Sequence, residues 1–510
     1  MFSKVYSSTV LGIDGATISV ESDINDGLPM FTMVGYLSSS VREAAERVRT
    51  ALKNSGYHMP PKRITINLSP ADVKKEGSGF DLPIAIAVLL SIGITSVIDI
   101  DKTVIVGELG LNGEVKPING VLPIVYHASE EGFERCIVPF DNANEASLVK
   151  NMEVIAVKNL VEVADYIQGF SEIEPYVMDE ADISDKEYKI DFSEIKGQRY
   201  VKRGMEIAVS GFHNVIMTGV AGAGKSMIAK RLPTIMPGMS FEESMEVTKI
   251  YSVSGLLEND KSLMQTRPFR SPHHTVSNYA LVGGGSFPKP GEVTLAHNGV
   301  LFLDELPEFN KNVLEVLRQP IEDRKITISR VYATYCFPAD FMLVAAMNPC
   351  PCGNYPSKKC TCTPNMIKRY QGKISGPLLD RIDINMEIFP VSYDDIFEVS
   401  NEESSASIRH RVEEARLIQK MRYKDENICF NSQLEGDLVK KYIILGNAEE
   451  DFLKDYYKRT GLSARAVYRI LKLSRTIADV EKSDEIKISH IKEAVFYRNT
   501  GNYYYGNGDV

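Results

Sequence analysis

Residues 219–226 read Gly-Val-Ala-Gly-Ala-Gly-Lys-Ser, between the apolar run 215–217 and the helical residues 227–230. The string matches the pattern G-x-x-x-x-G-K-[ST] in full, in the order of strand, loop and helix that the pattern needs. Glycines let consecutive backbone N–H groups curve around phosphate oxygens, and the helix N-terminus adds its positive dipole. We therefore predict a phosphate-binding loop in which Lys225 reaches the β- and γ-phosphates and Ser226 ligates Mg²⁺. The predicted nucleotide-binding residues are Gly219, Val220, Ala221, Gly222, Ala223, Gly224, Lys225 and Ser226.

Polar side chains end two further apolar runs. Asp304 and Glu305 follow the run 300–303, and Asn348 follows the run 341–347. Ligands of parallel sheets bind at the carboxyl ends of the strands. We predict that Asp304 holds Mg²⁺ through water, Glu305 polarises the attacking water, and Asn348 orients that water or the γ-phosphate. An Asn before a proline is by itself a turn residue, so the role of Asn348 depends on the other motifs.

Composition narrows the class of protein. The 510 residues are 44% hydrophobic and 25% charged, which fits neither whole-chain disorder nor a polytopic membrane protein. The net charge of −10 argues against a uniformly basic nucleic-acid binder, although nine acids and two lysines in residues 172–194 account for most of it. Seven cysteines without a regular framework, and an N-terminus without an apolar signal region, predict a cytoplasmic protein. The longest uncharged run, 82–98, is too short and too polar for a membrane span, so we expect no membrane partner.

Periodicity and charge divide this α/β chain into five segments. Short β-rich runs mix with amphipathic helical stretches in residues 1–168, and the acidic residues 169–194 are predicted to be a linker. Strands, helices and Gly/Pro-rich loops alternate in residues 195–395, as a parallel-sheet domain requires. Residues 396–500 have a helical period and predict an all-α lid, and residues 501–510 form a Gly/Asn/Tyr-rich tail.

Several strings outside the glycine-rich loop occur together in few families. They are Lys196-Gly-Gln, Gly211-Phe-His-Asn, Leu295-Ala-His-Asn-Gly-Val-Leu-Phe-Leu-Asp-Glu, Asn348-Pro-Cys-Pro-Cys-Gly, Ser375-Gly-Pro-Leu-Leu-Asp-Arg-Ile-Asp, Ser463-Ala-Arg-Ala and Arg475-Thr-Ile-Ala-Asp. With them, nearly the whole chain resembles the ComM/YifB family of magnesium-chelatase-like AAA+ ATPases. The resemblance implies a ring-forming ATPase that uses ATP and magnesium. The best-understood members of that family act as DNA motors that process recombination intermediates during transformation.

The same resemblance assigns roles to two arginines. Arg381 stands where the family places an arginine finger that reaches the nucleotide of a neighbouring subunit, and Arg465 stands at the sensor position of the helical lid. Guanidinium groups are always protonated and stabilise charge that develops on the γ-phosphoryl group. Two alternatives remain, since Arg381 between Asp380 and Asp383 also fits a surface ion pair, and Arg465 also fits a solvated helix position. A finger that acts in trans requires a homo-oligomeric ring, which the resemblance implies to be a hexamer.

Four cysteines form the pattern C-x-C-x₇-C-x-C, namely Cys350, Cys352, Cys360 and Cys362. Four thiolates on a short loop suit tetrahedral zinc, but the single-residue gaps depart from the common C-x₂-C spacing. The sequence therefore leaves structural zinc open against reduced, unligated thiols or a redox-labile pair. The adjacent residues His273 and His274 predict loop contacts, because neighbouring histidines do not easily ligate one ion in a helix or strand.

Residues 261–291 contain four basic side chains, aromatic residues and three consecutive glycines, but no acid. This content is typical of a loop that follows a nucleic-acid backbone, and a loop that packs on its own ring is the alternative. Residues 323–338 predict a β-hairpin that carries a further cation toward a central pore. The predicted DNA-binding residues are Arg267, Arg270, Lys289 and Arg330.

Glycine-rich strings between residues 74 and 120 resemble the Lon-protease fold. The resemblance places the nucleophilic Ser of that family at Gly79, or one residue away at Ser78, and its catalytic Lys near Pro123 and Ile124. A Ser–Lys dyad needs an amine to take the hydroxyl proton, and the sequence places none there. We therefore predict a non-proteolytic scaffold or DNA-engaging platform.

Two functions stay open at this point. One is a ring ATPase that couples ATP hydrolysis to DNA translocation, as a helicase or branch-migration motor in recombination or transformation. The other is a protein-remodelling motor subunit of the metal-chelatase type. The acidic charge balance favours the second slightly, whereas the acid-free residues 261–291 and the family resemblance favour the first.

Overall fold

The computed structural model describes residues 1–178, 188–258, 263–285, 288–330, 334–391 and 402–499. Several sequence predictions fall on residues outside these ranges. They concern the centre of the acidic segment, Lys261 as one of the four cations of residues 261–291, the turn of the predicted hairpin 323–338, the predicted boundary between residues 395 and 396, and the tail 501–510. The described chain forms two compact units, one made of Met1–Asp185 and Phe241–Gln265, the other of Lys186–Ser240 and Thr266–Val510. Each unit is built around its own β-sheet.

The regular elements are numbered along the chain. The strands are β1 (Phe2–Leu11), β2 (Asp14–Asn25), β3 (Met30–Val34), β4 (Arg63–Ser69), β5 (Thr103–Ile105), β6 (Glu108–Leu109), β7 (Val115–Lys116), β8 (Arg135–Pro139), β9 (Glu153–Val157), β10 (Val215–Gly219), β11 (Phe269–Arg270), β12 (Val300–Leu303), β13 (Lys325–Ser329), β14 (Thr334–Pro338), β15 (Met342–Met347) and β16 (Ile384–Ile388). The helices are α1 (Ser39–Asn54), α2 (Asp81–Ile92), α3 (Val121–Glu130), α4 (Ala143–Ala146), α5 (Leu160–Gln168), α6 (Arg199–Gly211), α7 (Lys225–Ile235), α8 (Phe241–Ser254), α9 (Asn278–Val282), α10 (Glu292–Leu295), α11 (Lys311–Val316), α12 (Arg318–Asp323), α13 (Pro364–Gln371), α14 (Gly376–Leu379), α15 (Ser405–Arg422), α16 (Asp437–Tyr442), α17 (Asn447–Thr460), α18 (Ala464–Val480) and α19 (Ile488–Asn499).

The first unit contains a mixed sheet of seven strands in the order β3-β4-β2-β1-β5-β8-β9. Strands β1 and β2 form a long antiparallel hairpin, and Gly12 adopts a φ of 72° in its tight turn, a backbone conformation that favours glycine. Helix α2 packs against this hairpin, and nearly all of its side chains are buried. The uncharged run is thus a core helix, and no helix among the described residues is long and apolar enough to cross a membrane.

Helix α8 belongs to the first unit, although it follows the phosphate-loop helix in the chain. Its Met245 joins the hydrophobic cluster around α3, and its Ser252 carbonyl accepts a 3.1 Å hydrogen bond from the Gly120 N–H. The Ser252 hydroxyl also donates to the buried Glu145 carboxylate at 2.6 Å. The chain therefore leaves the second unit after Ser240 and returns to it at Thr266.

The second unit contains a parallel sheet of five strands in the order β11-β12-β15-β10-β16. The central strand β10 pairs in register with both neighbours, so that Val215 lies beside Val344 on one side and Ile384 on the other. Helices α6, α7, α15 and α18 contribute to one hydrophobic core with these strands. The mixed α/β fold class is confirmed, with a parallel sheet that follows a Lon-like region and precedes a helical C-terminal region.

Candidate active site

The glycine-rich loop connects the buried strand β10 to helix α7, which begins at Lys225. Gly222 and Gly224 adopt φ values of 79° and 90°, in the left-handed region where other residues are strained. A side chain at Gly219 would collide with the Ile388 carbonyl oxygen of strand β16. Glycine is therefore required both for the shape of the loop and for its close approach to the neighbouring strand.

Lys225 occupies the centre of this loop. Its Nζ donates hydrogen bonds to the carbonyl oxygens of Gly219 at 2.6 Å and Val220 at 3.0 Å, and to Asn348 Oδ1 at 3.1 Å. Burial lowers the pKa of the ammonium group, while the nearby carboxylates of Asp304 and Glu305 oppose that effect. All three hydrogen-bond acceptors are neutral, so the positive charge of Lys225 stays available to a phosphate group.

Two side chains with oxygen atoms that can ligate a metal ion lie side by side next to the loop. The Ser226 hydroxyl donates to Asp304 Oδ2 at 2.7 Å, and Asp304 follows the buried strand β12. Asp304 Oδ1 in turn accepts a 2.9 Å hydrogen bond from the Glu305 N–H. Hydroxyl and carboxylate oxygens are the ligands that Mg²⁺ prefers, so these residues fit the predicted magnesium site.

Glu305 lies beside this pair with its carboxylate half-exposed. Its backbone has a φ of 53°, an uncommon conformation for a non-glycine residue. The carboxylate faces the imidazole of His274, with a distance of 3.5 Å between Oε2 and Nδ1. The sequence predicted only loop contacts for His274, and no local pattern identifies its glutamate partner. Lys225, Ser226, Asp304 and Glu305, together with Asn348 at the end of β15, thus converge at the carboxyl edge of the sheet.

Arg381 and Arg465 lie at the opposite edge of the same sheet. Arg381 precedes the first residue of β16, whereas Gly219 pairs with Ile388, the last residue of that strand. The length of the strand, about 13 Å, therefore separates Arg381 from the phosphate loop. Both arginines line a cavity of about 490 Å³ in which no residue of the phosphate loop takes part. Arg465 is exposed on the first turn of α18, whereas the Arg381 side chain is only 7% exposed. The ion pair expected for Arg381 is formed with Glu322 rather than with Asp380 or Asp383.

The four clustered cysteines place their sulfur atoms within 4.8 Å of one another. Three of the Sγ–Sγ distances are 3.4, 3.6 and 3.7 Å, close to the edge of about 3.8 Å in a tetrahedron with Zn–S bonds of about 2.3 Å. Hydrogen bonds from the backbone N–H groups of Thr361 and Asn354 lower the pKa of Cys352 to about 5, which favours its thiolate. The donor set therefore fits zinc, despite the unusual sequence spacing.

The four predicted DNA-binding cations have different environments. Arg267 is buried and donates to the carbonyl oxygens of Pro237 and Asn298, both at 2.7 Å. Arg270 forms a two-point ion pair with Glu292. Arg267 thus stabilises the interior of its unit and the charge of the partly exposed Arg270 is paired with a carboxylate, which corrects the expectation that all four cations face DNA. Lys289 and Arg330 are exposed, and Arg330 Nε donates to the Gly285 carbonyl at 3.0 Å, so Arg330 contacts the glycine-rich part of the preceding loop.

The Lon-like region of the first unit places a carboxylate beside the candidate serine. Ser78 hydrogen-bonds to Glu108, and Gly79 packs against Ile118. Pro123 and Ile124 are buried in helix α3 and carry no amine. Within the described residues, no lysine or histidine hydrogen-bonds to the Ser78 hydroxyl.

Three family models match successive parts of the chain. The model of magnesium chelatase, subunit ChlI, matches residues 191–396, a second ChlI model matches residues 20–142, and a ChlI C-terminal model matches residues 402–498. Over 496 residues, the chain is 41% identical to the protein YifB of Salmonella typhimurium, which covers 97% of this chain and 96% of YifB. Over 501 residues, it is 40% identical to the competence protein ComM of Haemophilus influenzae, and this alignment covers 97% of each chain. A stretch of 143 residues is 34% identical to Lon protease 2 of Bacillus subtilis and covers 26% of this chain and 25% of that protease.

Proposed function

Because the chain belongs to the ComM/YifB family of magnesium-chelatase-like AAA+ proteins, we propose that it is an ATPase that couples ATP hydrolysis to DNA translocation. In this proposal the chain forms a homo-oligomeric ring, a hexamer, and acts as a helicase or branch-migration motor in recombination or transformation. The observation that carries it is the convergence of Lys225, Ser226, Asp304, Glu305 and Asn348 at one sheet edge. None of the seven cysteines, all of them among the described residues, forms a disulfide, which fits the reducing cytoplasm as its location.

The chemistry follows from the positions of the side chains. Backbone N–H groups of the loop and the start of α7 bind the phosphates, and Lys225 supplies a charge to the β- and γ-phosphates. Ser226 and Asp304 would hold Mg²⁺, which neutralises charge that develops on the phosphate oxygens. Glu305 takes a proton from the attacking water, and His274 keeps its carboxylate oriented. Asn348 accepts a hydrogen bond from Lys225 and would lie next to the γ-phosphate.

In a ring, a neighbouring subunit supplies the arginines that the carboxyl edge of the sheet lacks within one chain. Arg381 and Arg465 lie at the other edge of the sheet, too far from Lys225 to act on the same nucleotide. In a head-to-tail ring, the arginine edge of one subunit faces the phosphate loop of the next. We therefore assign both arginines to the nucleotide of the neighbouring subunit, where they stabilise the transition state.

Lys289 and Arg330 are the cations that we assign to DNA. Both are exposed, and Arg330 joins the hairpin tip to the loop that carries Lys289. The relative ComM is named a competence protein, which supports a substrate of this class. The family models named for magnesium chelatase support the second candidate, a motor that remodels a partner protein.

Measurement of the ATPase rate with single-stranded, duplex and branched DNA separates these two functions. We expect DNA to stimulate the rate, and the double variant Lys289→Ala, Arg330→Ala to weaken DNA binding alike for all sequences. The slope of log affinity against log salt should fall by about one for each phosphate contact that is lost. The double variant Lys440→Ala, Lys454→Ala on exposed helices is the control with the same charge change. No DNA-dependent rate and no salt-sensitive DNA binding would leave the partner-remodelling motor as the function.

We also propose that the four-cysteine cluster holds one structural zinc ion. Cys350 lies two residues after Asn348, and Gly353 lies against Ala221 of the phosphate loop, so the ion would brace the nucleotide site. Protein purified without a polyhistidine tag should contain about one zinc per chain. The variant Cys352→Ser, Cys360→Ser should lose it, whereas Cys336→Ser, Cys429→Ser, which changes two exposed cysteines outside the cluster, should keep it. A zinc content near zero under reducing conditions contradicts the site.

For the Lon-like region we propose a role as a scaffold or DNA platform without peptidase activity. The Ser78 hydroxyl donates to a carboxylate, and among the described residues Pro123 and Ile124, which carry no amine, stand where the resemblance expects the dyad lysine. Incubation with unfolded casein should give no cleavage, with or without ATP. Cleavage that disappears in Ser78→Ala would contradict this assignment.

A further inference from the structure

The cavity that holds Arg381 and Arg465 contains three matched ion pairs. Arg381 pairs with Glu322, and two further arginines pair with carboxylates that line the same cavity. These further pairs are Arg324 with Asp340 and Arg469 with Asp383. Within the described residues, Arg465 is the arginine of this cavity without a carboxylate partner. Three of the arginines of this cavity are thus charge-compensated within the subunit, which weakens their attraction for a phosphate group.

The Arg381 side chain is turned into its own subunit. Its Nη2 lies 2.6 Å from Glu322 Oε1, and its Nη1 donates to the Pro377 carbonyl at 2.6 Å. Its Nε is buried and makes no hydrogen bond, which is an unfavourable state for a charged donor. With 7% of its side chain exposed, Arg381 does not reach a nucleotide on another chain from this position. Its proposed role in trans therefore requires the side chain to move.

The three ion pairs differ in how easily they open. Asp383 is buried and also binds His213 and the Asn214 N–H, so it fixes Arg469 firmly. The Glu322 side chain is 46% exposed. Water screens the charge of a carboxylate this exposed and can replace its contacts, so Glu322 holds its arginine less firmly than the buried Asp383 does. The pair between Arg381 and Glu322 is therefore the one that a new anion can replace.

We propose that Glu322 is a latch that holds Arg381 in an idle position until the nucleotide of a second copy of this chain arrives. Phosphate oxygens then replace the Glu322 carboxylate as the partner of the guanidinium group, which binds phosphate with the same two-point geometry. Glu322 acts through Arg381 and is a positioning residue. This inference rests on the proposed function, because it requires that Arg381 act in trans.

The test compares the ATPase rate of Glu322→Gln with that of the parent chain over a range of protein concentrations. Glutamine keeps the shape of the side chain and removes its charge. Without the latch, the protein concentration for half-maximal specific activity should fall roughly fivefold, the equivalent of about 1 kcal/mol. The KM for ATP and the plateau rate should stay within about twofold of the parent values. Glu315→Gln is the matched control, since Glu315 pairs with Arg318 at 2.6 Å outside the cavity.

Two further variants separate the latch from the proposed function. The gain from Glu322→Gln should vanish in a chain that also carries Arg381→Ala. If Glu322→Gln lowers the plateau rate, or leaves the concentration dependence unchanged while Arg381→Ala abolishes activity, the latch is wrong and the finger stands. If Arg381→Ala turns over ATP at the parental rate, the latch and the finger in trans are both wrong.

Discussion

The two edges of the five-stranded sheet hold their principal cations in different ways. At the carboxyl edge, the partners of Lys225 are two main-chain carbonyls and an amide oxygen, all of them neutral. At the amino edge, the partner of Arg381 is the carboxylate of Glu322. Neutral acceptors orient a cation and leave its charge in place, whereas a carboxylate cancels the charge. The lysine edge is therefore ready for an anion, and the arginine edge requires an exchange of partners first.

This difference fits the proposed distribution of the reaction over two chains. In that proposal, one chain contributes Lys225, Ser226, Asp304 and Glu305 for phosphate binding, magnesium binding and water activation. The arginines of the same chain are held away from that site. A single subunit with bound ATP would then hydrolyse slowly, and assembly would set the rate.

The largest effects should come from the lysine edge. Lys225→Ala removes the charge on the β- and γ-phosphates and should weaken ATP binding by at least about 100-fold, since each hydrogen bond to a charged group contributes about 1.5–3 kcal/mol. Glu305→Gln removes only water activation, so it should bind ATP normally and lose on the order of 10³ in turnover. Fluorescent-nucleotide titration and steady-state ATPase assays measure the two effects.

The exposed Lys230 on α7 provides the control for these variants. Lys230→Ala makes the same change one turn further along the helix and should leave both binding and turnover near the parental values. A Glu305→Gln protein that hydrolyses ATP at the parental rate would show that another group activates the water.

The arginine edge should show its effect across the subunit boundary. Arg381→Ala should reduce turnover on the order of 10³-fold, as for other arginine fingers, with little change in ATP binding. Mixing Arg381→Ala with Glu305→Gln should restore part of the activity, because some interfaces then combine an intact Glu305 with an intact Arg381. Recovery in the mixture distinguishes action in trans from action within one chain, which would leave the mixture as inactive as its components.

A third prediction concerns the buried carboxylate that fixes the arginine edge. Burial alone would raise the pKa of Asp383, but Arg469 and His213 outweigh it and hold the pKa well below its usual value. Asp383→Asn should therefore destabilise the second unit by about 3 kcal/mol at neutral pH. The depressed folded-state pKa means that this stabilisation is complete above the unfolded pKa of about 3.9 and is lost as the pH falls through the folded pKa.

Thermal unfolding of parent and Asp383→Asn between pH 8 and pH 3 measures this difference. The gap between the two melting temperatures should be constant down to about pH 4 and narrow below it. A gap that widens in acid would contradict the ion-pair assignment. Lys472→Met, which removes another buried cation of the same cavity, should not abolish the narrowing.

The smallest effect is expected for Arg465. Arg465 is exposed on α18 and contributes one flexible charge, so Arg465→Ala should lower turnover only about tenfold, the equivalent of about 1.4 kcal/mol. Arg459→Ala on α17 changes the charge by the same amount outside the cavity and is the control. An effect as large as that of Arg381→Ala would place both arginines on the same phosphate and remove the distinction between them.

The convergence of the predicted phosphate-site residues could be foreseen from the sequence, because these residues follow strands directly and the motif is contiguous. The predicted runs 215–217 and 300–303 fall on β10 and β12, and helices α15 and α18 lie within the predicted all-α region 396–500. The sequence also placed Asp304, Glu305 and Asn348 at strand ends, and parallel pairing brings such positions to one edge without further information. These predictions required only local patterns and the rule of parallel sheets.

Contacts between distant segments were not predictable in this way. Composition alone suggested DNA contacts for Arg267 and Arg270, yet the fold buries the first against carbonyl groups and pairs the second with Glu292. The acid-free residues 261–291 end one position before Glu292. A charge count along the chain therefore did not reveal this pair, since it does not show which side chains meet in space.

The sequence by itself determined which reactive groups the protein carries and where they stand in the chain: a glycine-rich loop that ends in Lys225 and Ser226, two acids and an amide that follow apolar runs, and four clustered thiols. The tertiary structure decided which charges are free to act. It paired Arg381 with Glu322, Glu305 with His274 and Asp383 with Arg469, across separations of 59, 31 and 86 residues. Such pairs depend on packing of whole elements and on the desolvation of each partner, and neither is encoded in a short stretch of sequence.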